Sequence, residues 1–405
     1  MKVIFLTMIR MPSLSHRGIY QDLLRYFVAQ GHNVYIVYPQ ERRHGRSTES
    51  FERDGAHFLG VRTMNLTKTN VVEKGVGQIR VESQFKNAIR KFWPNEQFDL
   101  ILYSTPPITL MGTVKYLKSC NPQAKSYLLL KDIFPQNAVD IGMMSITGPK
   151  GFLYRFFRRK EKDLYKVSDF IGCMSPANVE FVLKHNPDVS AERVEVAPNS
   201  VSLTPNPSPQ GKGNLEIREK YGLPTDKPIF IYGGNLGKPQ GIPFLIKCLD
   251  SNADRTDCHF VVVGSGTEQH LLQEWYEKVK PNNTTILKAL PKTDYDDLVN
   301  SCDVGLIFLD HRFSIPNYPS RLLSYLENKM PVLCATDPNC DMGRIAEENG
   351  YGYWCESNSV EAFTAILDKM IHSDRKAMGE KGYEFLCKNY LVQNTYDAIM
   401  KHFES

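Results

Sequence analysis

IFIYGGNLGKPQGIPFLIKCL, residues 229–249, is the stretch that decides the fold. A run of β-branched and aromatic residues stops at Gly233-Gly234, and apolar residues return at helical spacing from Phe244. The pattern predicts a strand, a glycine loop and a helix. Glycines let backbone N–H groups approach an anion, and a helix amino terminus adds positive dipole, so the loop suits a phosphate or diphosphate. An ordinary glycine-rich turn is the alternative on this stretch alone.

The chain length and the distribution of charge suggest two domains with different partners. A chain of 405 residues exceeds what one ordinary core holds. Residues 1–200 carry 28 Lys+Arg and 18 Asp+Glu, whereas residues 201–405 carry 21 and 27. The basic first half is expected to meet an anionic membrane surface or a phosphorylated acceptor. Nucleic acid is the weakest candidate, because no recognised nucleic-acid-binding module occurs.

The nine cysteines are scattered, without a Cys-x-x-Cys pair or metal-ligand spacing to a histidine pair. We expect reduced, mostly buried thiols, as in a cytosolic protein. No apolar run reaches the roughly 18 residues of a membrane span, and the first apolar run is too short for a signal peptide. The sequence therefore predicts a soluble or peripheral protein.

Strands and helices alternate along both halves of the chain. Strands are predicted at 3–7, 34–38, 99–103, 126–131 and 170–174, and in the second half at 229–232, 259–263, 285–288, 304–308 and 332–335. Residues 39–60 are predicted to be irregular, and the Pro/Gly-rich stretch 205–213 is the clearest linker. The alternation predicts two parallel α/β sheets that face each other across a cleft, with ligands at the carboxyl ends of the strands.

Two positions in the first half fall where parallel sheets carry functional groups. The loop after the first strand contains Arg10, His16, Arg17 and Gly18, and Asp132 directly follows the strand at 126–131. A carboxylate at the carboxyl end of a strand is a typical functional placement. Helix capping by Asp132 is the alternative.

Residues 149–166, PKGFLYRFFRRKEKDLYK, carry seven basic and two acidic residues interleaved with aromatic ones. The pattern is typical of a helix lying on anionic lipid, with apolar side chains down and basic ones at the headgroups. The contact residues would be Phe152, Phe156, Phe157, Arg155, Arg158, Arg159 and Lys160. An amphipathic helix packed on the sheet with a solvated basic face is the alternative.

A set of motifs spread over nearly the whole chain carries a family resemblance. The motifs are Gly31-His-Asn-Val34, Ser104-Thr-Pro-Pro107, Lys131-Asp-Ile-Phe-Pro135, Pro198-Asn199, Tyr232-Gly-Gly-Asn-Leu-Gly-Lys238 with Gln240-Gly241, Val263-Gly-Ser-Gly266, Tyr318-Pro-Ser-Arg321 and Met330-Pro-Val332. With them the chain resembles glycosyltransferase family 4, and most of all the bacterial enzymes of capsule, O-antigen and colanic-acid assembly.

The resemblance implies the GT-B fold, in which two Rossmann-like parallel-sheet domains face a central cleft. The implied divisions are an acceptor-binding domain at 1–203, a linker at 204–213 and a nucleotide-sugar-binding domain at 214–393. A last helix at 394–405 would pack back on the first domain. The implied activity is retaining transfer of a sugar from a nucleotide-diphosphate donor.

The resemblance also implies roles for individual residues. Lys238 and Arg321 would stabilise the leaving diphosphate, and Asp132 would orient the acceptor hydroxyl or act as base. The implied donor-binding residues are Gly18, Gly234, Asn235, Gly237, Gln240, Gly264, Ser265, Leu290, Tyr318, Pro319, Ser320, Ser324 and Glu327. The acceptor and membrane set is Arg10, His16 and Arg17 together with the aromatic and arginine residues of the basic helix.

This sequence departs from the family pattern at two pairs of positions. In the phosphate loop, Asn235 and Gln240 occupy the positions of the usual arginine and lysine, which leaves Lys238, between them, as the cation for the diphosphate. Family members commonly carry two glutamates eight residues apart, and those positions are Pro316 and Ser324 here. Ribose recognition would then fall to Ser324 or Glu327. Asp294-Tyr295-Asp296 begins a predicted helix, and capping explains it better than metal binding.

The resemblance implies no cofactor and no catalytic metal, and a UDP-sugar in preference to a GDP-sugar. The expected partners are the nucleotide-sugar, a lipid-diphosphate-linked acceptor and an anionic membrane surface, with no nucleic acid. The expected location is the cytoplasm, peripherally on the inner face of the cell membrane. A sugar-nucleotide 2-epimerase of similar fold and a non-catalytic sugar-nucleotide or glycan-binding protein remain the alternatives.

Overall fold

The computed structural model describes residues 1–66, 69–106, 108–148, 151–203 and 215–404, without the side chains of residues 71, 72, 74 and 75. The predicted linker at 204–213 and the first two residues of the predicted basic helix, 149–150, lie outside the described residues. The chain folds into two compact units. Unit 1 comprises residues 1–202 and 392–405, and unit 2 comprises residues 203–391.

Unit 1 is built on an eight-stranded sheet. Its strands are β1 Lys2–Leu6, β2 Asn33–Glu41, β3 Glu49–Arg53, β4 Ala56–Thr63, β5 Leu100–Ser104, β6 Lys125–Leu130, β7 Phe170–Cys173 and β8 Val194–Val196. They lie in the order β3-β4-β2-β1-β5-β6-β7-β8. Every neighbouring pair is parallel except β3 and β4. Central strands such as β1 and β5 are almost wholly apolar because helices can cover both faces of a parallel sheet.

Six helices connect these strands. They are α1 Ile19–Ala29, α2 Val71–Phe92, α3 Met111–Cys120, α4 Gln136–Asp140, α5 Gly151–Val167 and α6 Pro176–His185. The core of the unit gathers Phe5 of β1, Phe27 of α1 and Phe58 of β4, all without solvent exposure. The amino ends of α2 and α6 are capped by the side chains of Asn70 and Ser175, as polar residues before apolar helices favour.

The prediction of an irregular segment at 39–60 is wrong. β2 continues to Glu41, and β3 and β4 form an antiparallel hairpin in which Arg53 pairs with Ala56. Asp54 and Gly55 form the two-residue turn, with φ angles of 50° and 74°. An Asp-Gly pair between extended segments is a strong hairpin signal, so the sequence did contain this feature.

Unit 2 is built on a six-stranded, wholly parallel sheet. Its elements begin with helix α7 Leu215–Lys220. The strands are β9 Ile229–Asn235, β10 His259–Ser265, β11 Thr284–Lys288, β12 Val304–Phe308, β13 Val332–Thr336 and β14 Gly352–Glu356. They lie in the order β11-β10-β9-β12-β13-β14. This is the doubly wound order of nucleotide-binding folds, in which the chain reverses direction across the sheet between β9 and β12.

Seven further helices flank this sheet. They are α8 Ile242–Ser251, α9 Gln269–Val279, α10 Lys292–Asn300, α11 Arg321–Glu327, α12 Met342–Glu348, α13 Val360–Ile371 and α14 Arg375–Asn389. The core joins Phe230 and Phe260 of the central strands to Phe363 of α13. The helices α12 and α13 were not anticipated from the sequence.

The last helix, α15 Val392–Met400, belongs to unit 1. The backbone N–H of Val392 donates to Val201 O at 3.1 Å, and Ile399 is fully buried in the unit 1 core. The ring of Tyr396 packs edge-on against Phe27 with centroids 4.9 Å apart. The sequence-based division assigned 394–405 to the first domain, and the functional roles given to the two domains stay predictions.

Candidate functional site

In unit 2, the carboxyl ends of β9, β10 and β12 carry the loops that the sequence marked as donor-binding. β9 lies between the other two strands, and the strand order reverses at the boundary of β9 and β12. In open parallel sheets this switch point leaves a crevice where ligands bind. The loop after β9 holds Asn235, Gly237, Lys238 and Gln240, and the segment after β12 leads to Arg321.

The glycine loop after β9 is held in a defined conformation. Gly234 and Gly241 have φ angles of 124° and 59°, which side-chain-bearing residues rarely adopt. The amide of Asn235 donates to Gln240 Oε1 at 2.7 Å and so closes the loop. Lys238, in the short 3₁₀ turn Lys238–Gln240, stays exposed. The loop therefore presents a free-standing ammonium beside glycine backbone at the start of α8.

Arg321 lies beneath this loop, at the first residue of α11. Its guanidinium carbon is 4.3 Å from the ring centroid of Tyr232, and a Cβ on Gly234 would lie 3.5 Å from its Nη2. Nη1 is buried without a hydrogen-bond partner, and no carboxylate forms an ion pair with Arg321 among the residues that the structure describes. A buried guanidinium without a counter-charge is costly, so an anion on the glycine loop would stabilise it.

The tyrosines around Arg321 fix the neighbouring backbone. The Tyr325 hydroxyl donates to Ile231 O at 3.2 Å and accepts from the Gly233 N–H at 3.3 Å. A Cβ on Gly233 would overlap the hydroxyl of Tyr295. Only glycine fits there, and the loop is thereby held against α10 and α11.

Two further polar groups at this end of the sheet were missed by sequence reasoning. Glu268 Oε2 and Asn317 Nδ2 are buried and without a hydrogen-bond partner in the described part of the chain. Nearby, Arg312 donates to both oxygens of Asp310 at 2.8 and 2.7 Å. Burial opposes the ionisation of Asp310, but these bonds hold its pKa below the ordinary value. Only the position of Glu268, two residues after the Gly264-Ser265-Gly266 segment, could have indicated it from the sequence.

The other predicted donor-binding residues lie on the same strand ends or on α11. The carbonyl of Gly234 closely approaches Gly264, and Ser265 O accepts a hydrogen bond from Leu236 N at 2.9 Å. Leu290 follows the end of β11. The hydroxyls of Tyr318 and Tyr390 are hydrogen-bonded to each other. Pro319 and Ser320 directly precede α11, and Ser324 and Glu327 lie within it.

In unit 1, the reversal of strand order falls between β1 and β5. The loop after β1 holds Arg10, His16 and Arg17, all exposed, and ends at Gly18 before α1. Arg17 donates to Ser202 O at 3.0 Å. The Gly18 N–H donates to Asp22 Oδ1 at 3.2 Å.

Asp132 lies at the carboxyl end of β6, the strand beside β5. Its two oxygens accept hydrogen bonds from the Asn137 amide at 2.9 and 2.8 Å. Burial raises the pKa of Asp132 to about 6, although the Ile133 N–H and the Asn137 amide act in the opposite direction. A carboxyl group with this pKa can gain or lose a proton near neutral pH.

Lys131, next to Asp132, is a second titratable group that was not selected from the sequence. Its ammonium donates to Ala197 O at 2.9 Å. Burial lowers the pKa of Lys131 to about 7. A lysine with this pKa is largely neutral above neutral pH.

The helix α5 exposes a basic and apolar surface, which we call the α5 surface. Phe152, Leu153 and Phe156 are 69%, 49% and 40% exposed, and Met143 and Ile146 of the preceding loop are 67% and 51% exposed. The cationic members of the α5 surface are Arg155, Arg159 and Lys160.

Two residues predicted for this surface instead face the protein. Arg158 donates to Glu161 Oε2, His185 O and Asn186 Oδ1, so its predicted contact with lipid headgroups does not fit the structure. The Phe157 ring packs against Phe134, with centroids 5.1 Å apart. Phe157 thus faces the loop that follows Asp132, whereas Arg158 faces the carboxyl end of α6.

Membrane-spanning helices and metal-binding clusters are both absent from the described ranges. No helix there combines the length and apolar character needed to cross a bilayer. No group of three or more His, Cys, Asp or Glu side chains in those ranges is arranged to hold a metal ion. Asp294 and Asp296 do not cap α10; they form ion pairs with Lys220 and Lys292.

Comparison with known proteins agrees with this architecture. Residues 214–385 match the family model described as "Glycosyl transferases group 1". The "Probable glycosyltransferase WbjE" of Pseudomonas aeruginosa is 22% identical over 80% of this chain and 78% of its own length. The "Putative colanic acid biosynthesis glycosyl transferase WcaI" of Escherichia coli (strain K12) is 22% identical over 87% of this chain and 88% of its own length.

A solved structure extends the likeness to the whole fold. The E. coli structure described as trehalose-6-phosphate bound with UDP-2-fluoro glucose superimposes with a TM-score of 0.74 at 10% identity, over 100% of this chain and 99% of that one. The chain therefore has the GT-B fold, and its residues 214–385 match the glycosyl transferases group 1 family.

Proposed function

We propose that this protein transfers a sugar, with retention, from a UDP-sugar to a lipid-diphosphate-linked acceptor in the synthesis of a bacterial surface polysaccharide. The observation that carries the proposal is the buried, unpartnered Nη1 of Arg321 beneath the Gly233-Gly234 loop. An anionic diphosphate would supply the missing partner. The UDP-sugar analogue named for the E. coli structure and the process named for WcaI support the finer assignments.

The unit 2 site would act by stabilising charge on the leaving group. As the bond between the anomeric carbon and the diphosphate oxygen breaks, negative charge grows on the diphosphate. Arg321 from below, Lys238 from the exposed turn and glycine backbone N–H groups would neutralise that charge. Because Arg321 is packed between tyrosines, its position is fixed before the donor binds, which lowers the cost of reorganisation.

Asp132 would serve the acceptor in unit 1. The acceptor hydroxyl forms the new bond to the anomeric carbon, and a leaving phosphate oxygen takes its proton in a retaining reaction. Asp132, ionised above a pKa of about 6, would hold that hydroxyl by accepting its hydrogen bond. The Asn137 amide fixes the orientation of the carboxylate for this task.

Nucleotide binding by the purified protein tests the donor site. We expect UDP to raise the melting temperature more than GDP, TDP or CMP, because a ligand that binds only the folded state stabilises it. Lys238→Ala should reduce the shift, whereas Lys247→Ala, an exposed lysine on α8, should leave it unchanged. No shift with any nucleotide would overturn the proposal. Binding without transfer or donor hydrolysis would favour the non-catalytic alternative.

The α5 surface supports a lipid-linked acceptor and an anionic membrane. Phe152 and Phe156 lie beside Arg155, Arg159 and Lys160, and exposed aromatic side chains next to cations suit the boundary between headgroups and acyl chains. Met143 and Ile146 enlarge the apolar part. The inward contact of Phe157 with Phe134 joins the α5 surface to the loop of Asp132, where the acceptor would react.

Vesicle co-sedimentation tests the membrane assignment. Wild-type protein should bind vesicles that contain phosphatidylglycerol more strongly than vesicles of phosphatidylcholine alone. The double variant Phe152→Ser/Phe156→Ser should lose binding to both. Ile79→Ser is the control, because Ile79 is 70% exposed on α2, away from the α5 surface. Equal binding of the double variant and wild type would contradict the assignment.

A further inference from the structure

One carboxylate oxygen beside the glycine loop has no partner. Glu268 follows β10, and its backbone N–H donates to Leu236 O at 2.9 Å, which ties it to the loop after β9. Its Oε2 is shielded from solvent and lacks a hydrogen-bond partner in the described ranges. Burying a carboxylate oxygen in this state costs free energy that a donor group on a ligand would recover.

Arg312, whose pKa is affected by the charge of Glu268, forms its side-chain hydrogen bonds with Asp310. Arg312 directs its Nε and Nη2 to Asp310, and these hydrogen bonds are the main reason why its pKa is raised. The charge of Glu268 raises the pKa of Arg312 by a smaller amount. Among the described residues Glu268 forms no ion pair. Its carboxylate therefore remains available as a hydrogen-bond acceptor.

The chemistry of an ionised carboxylate selects the kind of ligand group. It accepts hydrogen bonds and repels phosphate, so its partner carries O–H or N–H groups. The two adjacent hydroxyls of a ribose offer two donors to one carboxylate. In doubly wound nucleotide-binding folds, phosphates bind after the first strand and an acidic residue after the second strand binds the ribose. By strand order β9 is the first of these strands and β10 the second.

Ser324 and Glu327, which the sequence analysis considered for ribose recognition, are less suited to bind a ribose. Glu327 is 9% exposed and lies close enough to Tyr383 of α14 for its charge to affect that residue. It therefore lies on the side of α11 that packs against α14. Ser324 is a neutral hydroxyl and offers a weaker acceptor than a carboxylate.

We propose that Glu268 binds the donor ribose by accepting hydrogen bonds from its 2′- and 3′-hydroxyls. The inference rests on the donor site proposed above and names the residue that replaces the missing family glutamate. Glu268 is thus a specificity residue for ribonucleotide over deoxyribonucleotide donors.

Calorimetric titration with paired nucleotides tests the proposal. UDP and 2′-deoxy-UDP, with GDP and 2′-deoxy-GDP in parallel, are titrated into wild type, Glu268→Gln and Glu274→Gln. Wild type should bind the ribonucleotide about tenfold more tightly, as expected for one hydrogen bond to a charged group. Glu268→Gln should bind both forms with the weaker affinity. Glu274→Gln, an exposed carboxylate changed on α9, should match wild type.

The outcomes separate this proposal from the donor site itself. If wild type binds no nucleoside diphosphate, the donor site fails. If Glu268→Gln keeps the full preference for the ribonucleotide, or loses affinity for both forms by the same factor, the ribose assignment is overturned. Pyrophosphate binding, which should be equal in all three proteins, reports that the glycine loop is intact. Thermal unfolding without ligand reports that each variant is folded.

Discussion

Buried ionisable side chains of opposite charge lie at the carboxyl ends of the two sheets. They differ in the hydrogen-bond partners that the protein gives them. In unit 2, Arg321 stacks on Tyr232, and its Nη1 has no hydrogen-bond partner among the residues that the structure describes. In unit 1, both oxygens of Asp132 lie within hydrogen-bond distance of the Asn137 amide nitrogen, at 2.9 and 2.8 Å. Arg321 keeps a permanent charge and has no counter-ion among the described residues, whereas Asp132 has a neutral partner and a pKa of about 6.

This difference separates two kinds of chemistry on similar parallel sheets. A guanidinium that is permanently charged and shielded from solvent suits a ligand that carries permanent negative charge. A carboxylate whose ionised form is only partly favoured suits a neutral hydroxyl, because it can accept a hydrogen bond from that hydroxyl near neutral pH. Similar sheet architecture would then suit anion binding in unit 2 and, as proposed, hydroxyl positioning in unit 1, because the polar groups at the strand ends differ.

The largest effect is expected at Arg321. Arg321→Gln removes the charge and should lower transfer about a thousandfold, because a buried group that stabilises transition-state charge is lost. Arg321→Lys should recover part of the rate, since lysine restores the positive charge but not the planar guanidinium with its paired N–H donors. Initial rates with a UDP-sugar measure both. Arg344→Gln, at an exposed arginine of α12, is the control. Full activity of folded Arg321→Gln would show that the charge of Arg321 is not needed for transfer, and would contradict the contrast drawn between Arg321 and Asp132.

Asp132→Asn should lower kcat about a hundredfold while nucleotide binding stays unchanged. The wild-type rate should fall as pH drops below about 6, because the carboxylate becomes protonated. Folding favours the neutral form of Asp132, so its contribution to the free energy of unfolding decreases as pH rises from about 4 to above 6. Asp132→Asn should therefore be at least as stable as wild type at pH 8. A variant that loses UDP binding would show that Asp132 does not act on the acceptor alone.

A smaller effect tests the partner of that carboxylate. Asn137→Ala removes the side-chain amide donor that favours the charged form of Asp132, so the pKa of Asp132 should rise further. The acidic limb of the pH–rate profile should move to higher pH, with about the same rate at the alkaline plateau. Gln123→Ala, an exposed amide of unit 1, should leave the profile in place. An unmoved profile in Asn137→Ala would mean that another group controls the limb.

The smallest effect concerns stability. The pKa of Lys131 in the folded protein, about 7, lies below its ordinary value, so protonation opposes folding. This cost is fully present below pH 7 and disappears as pH rises above about 10. Lys131→Met should be about 1 kcal/mol more stable than wild type at pH 6, since partial exposure limits the gain. Urea unfolding at pH 6 and 9 measures it, with Lys184→Met on α6 as control. An equal difference in the free energy of unfolding between Lys131→Met and wild type at pH 6 and pH 9 would contradict the lowered pKa of Lys131.

The parts of the fold with local signals were predictable. The strand and glycine loop at 229–235 follow from an apolar run that ends in two glycines, and their positions agree with β9. The alternation of strands and helices led to two parallel sheets. The hairpin of β3 and β4 was missed although its Asp54-Gly55 turn is visible in the sequence, because the flanking strands are mostly exposed and lack an apolar run.

The energetics of the site could not be read from the sequence. Arg321 was selected from a motif, but its lack of a counter-ion among the described residues depends on the tyrosines that β9, α10 and α11 bring around it. The unpartnered oxygen of Glu268 and the neutral partner of Asp132 likewise arise only after packing. Arg158 was assigned to a surface because it lies in a basic run, whereas contacts with α6 and the residues after it decide its direction.

The position of α15 has a consequence for biosynthesis. Ile399 and Tyr396 complete the core of unit 1, yet the whole of unit 2 precedes them in the chain. On the ribosome, residues 203–391 emerge before residues 392–400, so unit 2 has all its parts while unit 1 still lacks a helix. Chains usually complete their amino-terminal domain first. This protein is expected to complete its second unit first and to expose the α1 face of the first until translation reaches α15.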